Sequence, residues 1–351
     1  MTLTTRQAKA FAVAALLVGI GAGAGVGCAS RDGRTASQSA SEEPLKPPQI
    51  YANMPLKEAL GAAVDFGGDT LESVKRLVKR RSEGAKVGPL MEEDLAAGLD
   101  TYEPHQLLNA GNLYATFSPT MSPELLSKLV RHERPVTRQL GWQLAAIKPS
   151  ATIAAAVDRE LTRAIADGEE GAVLIPQMAN AVLANKLKSS YTLVRQGLMA
   201  NGDEEYAHAM IGLEPARAAD DFLPYLAQAP AEELRQLTLA SVNLYTCLAI
   251  LKHLAAYPPS AGNPALEHLF LYAVSRNTAL AEMAQNVIET LVPERTDLMA
   301  QLLARHPAWV QIAYVEGARR RAGAKTGLLM AELKKATTEQ DVAAEIDQIK
   351  F

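Results

Sequence analysis

The chain has 351 residues, 48% of them hydrophobic and 5% aromatic, with a formal charge of −4 at neutral pH. The hydrophobic share excludes a disordered body, and the scarcity of aromatics argues against a strand-rich one, since strands draw on Tyr, Phe and Trp. A mildly acidic balance supplies no global field for a polyanion, so no nucleic-acid partner is expected.

The first ten residues carry Arg6 and Lys9 and no acid. Phe11 to Ile20 is an unbroken apolar run, and Gly21 to Gly27 is a run of small residues. A charged start, a short apolar centre and a small-residue exit is the order of a secretory signal, and the centre is too short to span a bilayer comfortably. Residues 1–27 are therefore expected to be a signal peptide. Residues 29–50 are rich in Ser, Ala and Pro without an apolar period, so they predict a disordered tether after Cys28. Its r.m.s. reach would be about 25 Å.

From Asn53 onward the punctuation is that of helices. Ser122-Pro123-Glu124 and Asn263-Pro264 place a capping side chain before a Pro, where a missing N–H costs nothing. Val292-Pro293 and His306-Pro307 predict further starts. Leu234, Leu237, Leu244, Leu248 and Leu251 recur at helical intervals, with Ser241 on the same face. No stretch sustains the alternation of a strand. Some helix pairs also resemble each other. Leu126 and Leu129 before Arg138-Gln139-Leu140 match Leu223 and Leu226 before Arg235-Gln236-Leu237, and residues 269–291 follow the same plan. Two first helices are expected to be bent by an internal proline, at Leu174-Ile175-Pro176 and Phe222-Leu223-Pro224.

Few residues suggest chemistry. Glu205 and His208 have the spacing that puts a carboxylate and an imidazole on one helical face, but di-iron bundles need a second such motif and two further inward Glu residues. Gly317 to Thr326 (GARRRAGAKT) has the wrong spacing for a phosphate-binding loop, and no strand precedes it. The six histidines show no metal-ligand spacing. Cys247 is the only thiol of the body and reads as a small buried apolar side chain, which excludes a thiolate zinc site. Trp142 and Trp309 fall on apolar stripes and read as core. No catalytic, cofactor or metal residue is assigned. Two basic clusters remain: Lys75, Arg76, Lys79, Arg80 and Arg81 on one predicted helix, spread over a wide arc away from Leu71, Val74 and Val78, and Arg319, Arg320 and Arg321. They read as solvated faces, or as contacts to anionic head groups or an acidic partner.

Two resemblances extend this reading. Val26-Gly27-Cys28 resembles the lipobox of bacterial lipoprotein precursors, which implies a diacylated Cys28 at the mature N-terminus. Gly25 stands where that family usually has a larger aliphatic residue, and ordinary cleavage after Ala22-Gly23-Ala24, leaving Cys28 a free thiol, is the competing reading. By the same resemblance Ala29, in place of an inner-membrane retention Asp, implies the outer membrane, facing the periplasm. The paired helices resemble degenerate HEAT repeats over about residues 121–321. That implies an all-α fold of hairpins stacked into an arc with a concave face; an irregular helical bundle is the alternative. Residues 51–120 would form an N-terminal helical region and residues 322–351 the C-terminal helices. Together these features lead to the expectation of a membrane-anchored envelope lipoprotein that binds other envelope proteins as a scaffold or assembly factor, with no cofactor. An enzyme or small-ligand binder with a pocket between helices is the second reading.

The lipobox resemblance gives a direct expectation. Mass spectrometry of the mature protein should find Cys28 at its N-terminus with acyl chains attached, and Cys28→Ala should release the protein from membranes. A mature chain that keeps residues 1–27, or begins at another residue without acyl groups, contradicts it.

Overall fold

The computed structural model describes residue 51 and residues 53–166, 175–236, 239–320 and 324–349. The expected signal, Cys28 and the tether lie outside these. Residues 48–351 group as one compact unit, and all regular structure among the described residues is helical.

The helices form two ranks. The front rank consists of α1 (Leu56–Phe66), α4 (Pro104–Phe117), α6 (Pro135–Ile147), α8 (Pro176–Ala184), α10 (Glu204–Leu213), α13 (Leu244–Ala256), α15 (Thr278–Ala304) and α17 (Ala324–Ala336). Each packs against the next in that series. Behind them stand α3 (Gly84–Gly98), α5 (Pro123–Val130), α7 (Ala151–Ala166), α9 (Tyr191–Asn201), α11 (Pro215–Leu226), α14 (His268–Ala273), α16 (Ala308–Arg319) and α18 (Gln340–Asp347). These pack in two runs, from α3 to α7 and from α9 to α18. The early helix α2 (Gly68–Arg80) rests on α1 and α4, and the single turn α12 (Ala231–Leu234) on α14. Consecutive back and front helices pair as hairpins from α3 and α4 to α14 and α15, so the fold is the stacked, solenoid-like all-α architecture expected. The front series begins at α1 and α4, ahead of residue 121.

Local chemistry explains most of the helix starts. Ser122 Oγ accepts from the Leu125 N–H at 3.1 Å, and Asn243 Oδ1 accepts from Tyr245 and Thr246. Asn277 does the same for Leu280. Proline opens α4, α5, α6, α8 and α11, where its fixed φ suits the first turn.

Four expectations need correction. Pro176 opens α8 instead of bending it, and Pro224 lies in the last turn of α11, so the two prolines do not mark a shared curved unit. Pro293 does not start a helix. The chain runs through it within α15 and breaks at Arg295, whose φ of −142° leaves the helical region, as expected when a ring removes one hydrogen bond and crowds the preceding turn. The Leu234–Leu251 stripe is not one helix. Leu237 lies outside the described residues; beyond it Glu233 accepts from Ala240 N, Ser241 N and the Ser241 hydroxyl, a non-helical arrangement of residues 240–241 before Asn243 starts α13. The matched motifs therefore superpose only in part: Leu126 and Leu129 in α5 correspond to Leu223 and Leu226 in α11, but Arg138 sits inside α6 whereas Arg235 lies beyond α12.

The core lies between the ranks, and polar contacts recur along it. The Tyr225 hydroxyl donates to the Gly202 carbonyl at the end of α9 (3.3 Å), and the Tyr272 hydroxyl donates to the Leu226 carbonyl at the end of α11 (3.0 Å). Each ties a back helix to the end of the one before. Burial pushes the Tyr225 hydroxyl up to about 12 and raises Tyr272 as well, so both remain donors. Histidines form a second set: His253 Nε2 lies 2.8 Å from the Pro215 carbonyl and His306 Nε2 3.0 Å from that of Glu267. A carbonyl only accepts, so both imidazoles carry their proton on Nε2.

A buried ion cluster joins α5 to α7. Glu160, with its side chain fully buried, takes two bonds from Arg131, both at 2.7 Å, one from the Ser127 hydroxyl at 2.7 Å and one from Arg163 at 3.3 Å. Burial alone would raise its pKa; the bonds from Arg131 and Ser127 outweigh that and hold it at about 2. The depressed value means that the ionised form stabilises the fold above the unfolded-state pKa near 4.5 and that this is lost as pH falls towards 2. Glu160→Ala should cost about 3 kcal/mol in urea unfolding at pH 7. The gap between variant and parent should narrow below about pH 4.5.

Candidate interaction surface

Three neighbouring helices of the front rank, α4, α6 and α8, are nearly free of charge. Neither α4 nor α8 contains an Asp, Glu, Lys or Arg. Helix α6 has only Arg138, whose guanidinium is taken by the carbonyls of His132 and Glu133. Helix α10 has Glu204 and Glu205 in its first turn, and α13 has Lys252. By contrast α7 carries Asp158, Arg159, Glu160 and Arg163, and α11 carries Arg217, Asp220 and Asp221. An exposed helix face usually holds solvating charges, so the outward face of α4, α6 and α8 is unusual.

Helical spacing places its side chains. In α6, Thr137, Leu140, Gly141, Leu144 and Ala145 are buried, which leaves Val136, Gln139, Gln143 and Ala146 as the opposite stripe. Gly141 lets α5 approach: a Cβ there would sit 2.8 Å from Leu129 Cβ and 2.9 Å from a Val130 methyl. In α8 the corresponding stripe is Gln177, Asn180 and Ala184, and in α4 it is His105, Leu108 and Asn112. Gln139, Gln143 and Gln177 are half-buried and Asn180 is exposed. Among the described residues, none of these four carboxamides hydrogen-bonds within the chain. The oxygens of Gln143 and Gln177 are shut from solvent and have no partner. Carboxamides were not selected from the sequence because Gln and Asn are ordinary surface residues; only the absence of charge in residues 104–117 and 176–184 could have drawn attention to them.

The structure divides the basic residues. Arg76, Lys79 and Arg80 are exposed on α2, but Lys75 is buried at 9% exposure and paired with Glu72 at 2.8 Å. Arg81 turns back, donating to the Met54 carbonyl at 2.9 Å. The first cluster is therefore not one solvated arc. Arg319 pairs with Glu345 at 3.4 Å, Arg320 is exposed, and Arg321 lies outside the described residues. Helix α2 rests on α1 and α4 and helix α16 on α14, α15 and α18, so the clusters occupy distant parts of the array.

Other motifs resolve as packing. Cys247 is fully buried, its Sγ 3.7 Å from the Tyr272 hydroxyl, and burial pushes its pKa up to about 12. Trp142 is buried at 2% exposure, while Trp309 is half-buried beneath the Arg235 guanidinium at 4.8 Å. His208 is exposed on α10, and no group of His, Cys, Asp and Glu among the described residues has metal-ligand geometry. A cleft of about 260 Å³ lies between the end of α9 and the segment before α13. Its polar groups already serve the fold: the Gly202 carbonyl takes the Tyr225 and Thr246 hydroxyls, and Asn243 caps α13. A second cleft, of about 230 Å³, opens between Ser150 and Asn185. Asn185 Nδ2 there donates to the Ala145 and Ala181 carbonyls.

If the front carboxamides do not serve the fold, replacing them should be harmless to it. Gln143→Leu and Gln177→Leu remove enclosed acceptors without partners, so each should leave thermal stability unchanged or raise it slightly. A loss of about 2 kcal/mol or more in either would show a structural role.

Compared with known proteins, the chain matches no family model, no curated protein and no solved structure.

Proposed function

We propose that this chain is an exported, lipid-anchored protein of the cell envelope that works as a binding scaffold or assembly factor, docking partner proteins on its front rank. One observation carries the docking role: a wide helical face built by α4, α6 and α8 that has almost no charge. Such a face loses little solvation when covered, since no ion must be stripped of water. Stacked hairpins suit the role because they present an extended surface built from several units.

The anchoring part rests on the N-terminal pattern, with Cys28 acylated in the outer membrane and the body held in the periplasm by residues 29–50. No helix among the described residues is long and apolar enough to cross a membrane. The exposed cations of α2 and α16 offer weaker contacts to anionic head groups or to an acidic partner surface.

A photo-crosslinking residue tests the docking role in the producing cell. Placed at Asn180, it should yield discrete crosslinked protein species, and a pulldown from solubilised membranes should recover the same partners. Placed at Arg159, on the exposed part of back helix α7, it should not. Equal crosslinking from both positions, or none from the front rank, would overturn the proposal.

A further inference from the structure

Charge is unevenly spread along the body. Residues 75–86 hold six Lys and Arg and one acid, whereas the rest of residues 51–351 holds 24 Lys and Arg against 35 Asp and Glu. The structure turns part of that excess outward. Arg76, Lys79 and Arg80, at i, i+3 and i+4, share one exposed face near the end of α2. None of the three has an ion pair or hydrogen bond among the described residues. Glu72, one turn earlier on that face, is taken by Lys75 at 2.8 Å, and Glu83 lies 3.8 Å from Arg81 and 3.6 Å from Lys86. The dipole of α2 favours cations in its last turn, where Lys79 and Arg80 stand, but fades before Arg76. The apolar side of α2, with Leu71, Val74, Leu77 and Val78, is buried, so this helix has no oily face left to insert into a bilayer. Its position matters as much as its charge. Arg81 donates to the Met54 carbonyl at 2.9 Å and to the Tyr51 carbonyl at 3.5 Å, which clamps this end of α2 to the point where residues 28–50 join the body.

We propose that the end of α2 is a membrane seat: Arg76, Lys79 and Arg80, with Lys86 beside them, rest on anionic head groups of the leaflet that holds the acylated Cys28. This rests on the lipid anchor proposed above and adds how the body sits at its end. A tether with a reach of about 25 Å keeps returning this end of the body to the bilayer, so even weak contacts are occupied. A cation near an anionic surface strengthens attachment about fivefold, so three together give about a hundredfold. The acids elsewhere in the body oppose this little, because exposed charges beyond about 10 Å are screened at 0.1 M salt. An acidic protein could meet the same cations, but the anchor delivers the membrane to them and delivers no such protein. With its apolar side buried, α2 lies on the head groups by charge alone, and the contact is reversible. The seat also fixes which end of the stack faces the bilayer, with α1 to α4 beside it and α18 at the other end of the series.

Energy transfer from the protein to acceptor-labelled head groups tests the seat. Protein purified from the producing cell is reconstituted on vesicles of phosphatidylcholine, with or without phosphatidylglycerol. It carries a dye at Ala85, exposed in the first turn of α3, or at Ala344, exposed on α18. Transfer from Ala85 should be about twofold or more higher with phosphatidylglycerol and should fall to the phosphatidylcholine level at about 500 mM NaCl. Transfer from Ala344 should stay low on both. Arg76→Glu plus Lys79→Glu plus Arg80→Glu should abolish the gain at Ala85, with folding of the variant checked by thermal unfolding. The lipid and salt comparisons need no variant. Equal transfer on both lipids, no response to salt, or indifference to charge reversal would overturn the inference. A photo-crosslinker at Ala85 that yields discrete protein species in the cell, instead of lipid adducts, would overturn it in favour of an acidic partner. Mass spectrometry of the same preparation separates the two readings: acylated protein without the gain at Ala85 removes the seat and leaves the anchor. Should Cys28 carry no acyl chain, flotation with phosphatidylglycerol vesicles that is lost on charge reversal keeps the seat without the anchor, and no flotation removes both.

Discussion

A hairpin of two amphipathic helices has more apolar surface than its own pairing can cover. In α6, for example, Leu140 and Leu144 face the interior while Gly141 admits α5. Leaving a Leu exposed forfeits about 1.5–3 kcal/mol, so each hairpin depends on its neighbours on both sides. That dependence produces a continuous front rank and a back rank in two runs, and the rest of the architecture follows from it. Stability is then shared between successive interfaces.

Polar contacts set how the units register. Apolar stacking tolerates sliding, since one packed side chain resembles another, but a buried hydroxyl aimed at a single carbonyl does not. Tyr225 on Gly202 and Tyr272 on Leu226 fix successive back helices end to core, and His253 and His306 fix front helices to the starts of back ones. Glu160 does the same between α5 and α7 with a charge held in ionic form by its neighbours. On the outward stripes of α6 and α8, Gln139, Gln143, Gln177 and Asn180 have no hydrogen-bond partner among the described residues. That surface is the one on which the proposed docking role rests.

Much of this was legible in the residues. The absence of alternating stretches, the capping of Ser122 and Asn263, and the proline starts before α5 and after His306 gave helices of about the right extent. Where the reading went astray, a tertiary contact intervened. The leucine stripe from 234 to 251 has the period of one helix, yet Glu233 captures the donors of Ala240 and Ser241 and breaks it. Pro176 and Pro224 occupy similar local contexts, but one opens a helix and the other sits near a helix end. Lys75 and Arg81 belong by spacing to a solvated basic face, yet Lys75 is buried and paired with Glu72 on its own helix, and Arg81 is drawn to the Met54 carbonyl.

The sequence by itself determined the class of the fold, because helical period, caps and prolines are local properties that each segment carries alone. It also determined that the helices must stack, because the apolar stripes exceed what a single pair can hide. Only the tertiary structure decided which helices share a rank, and therefore that α4, α6 and α8, far apart in the chain, lie side by side as one nearly uncharged surface. Carboxamides acquire meaning there through what they fail to touch, and an unmet hydrogen bond is a property of the packed molecule that no single segment contains.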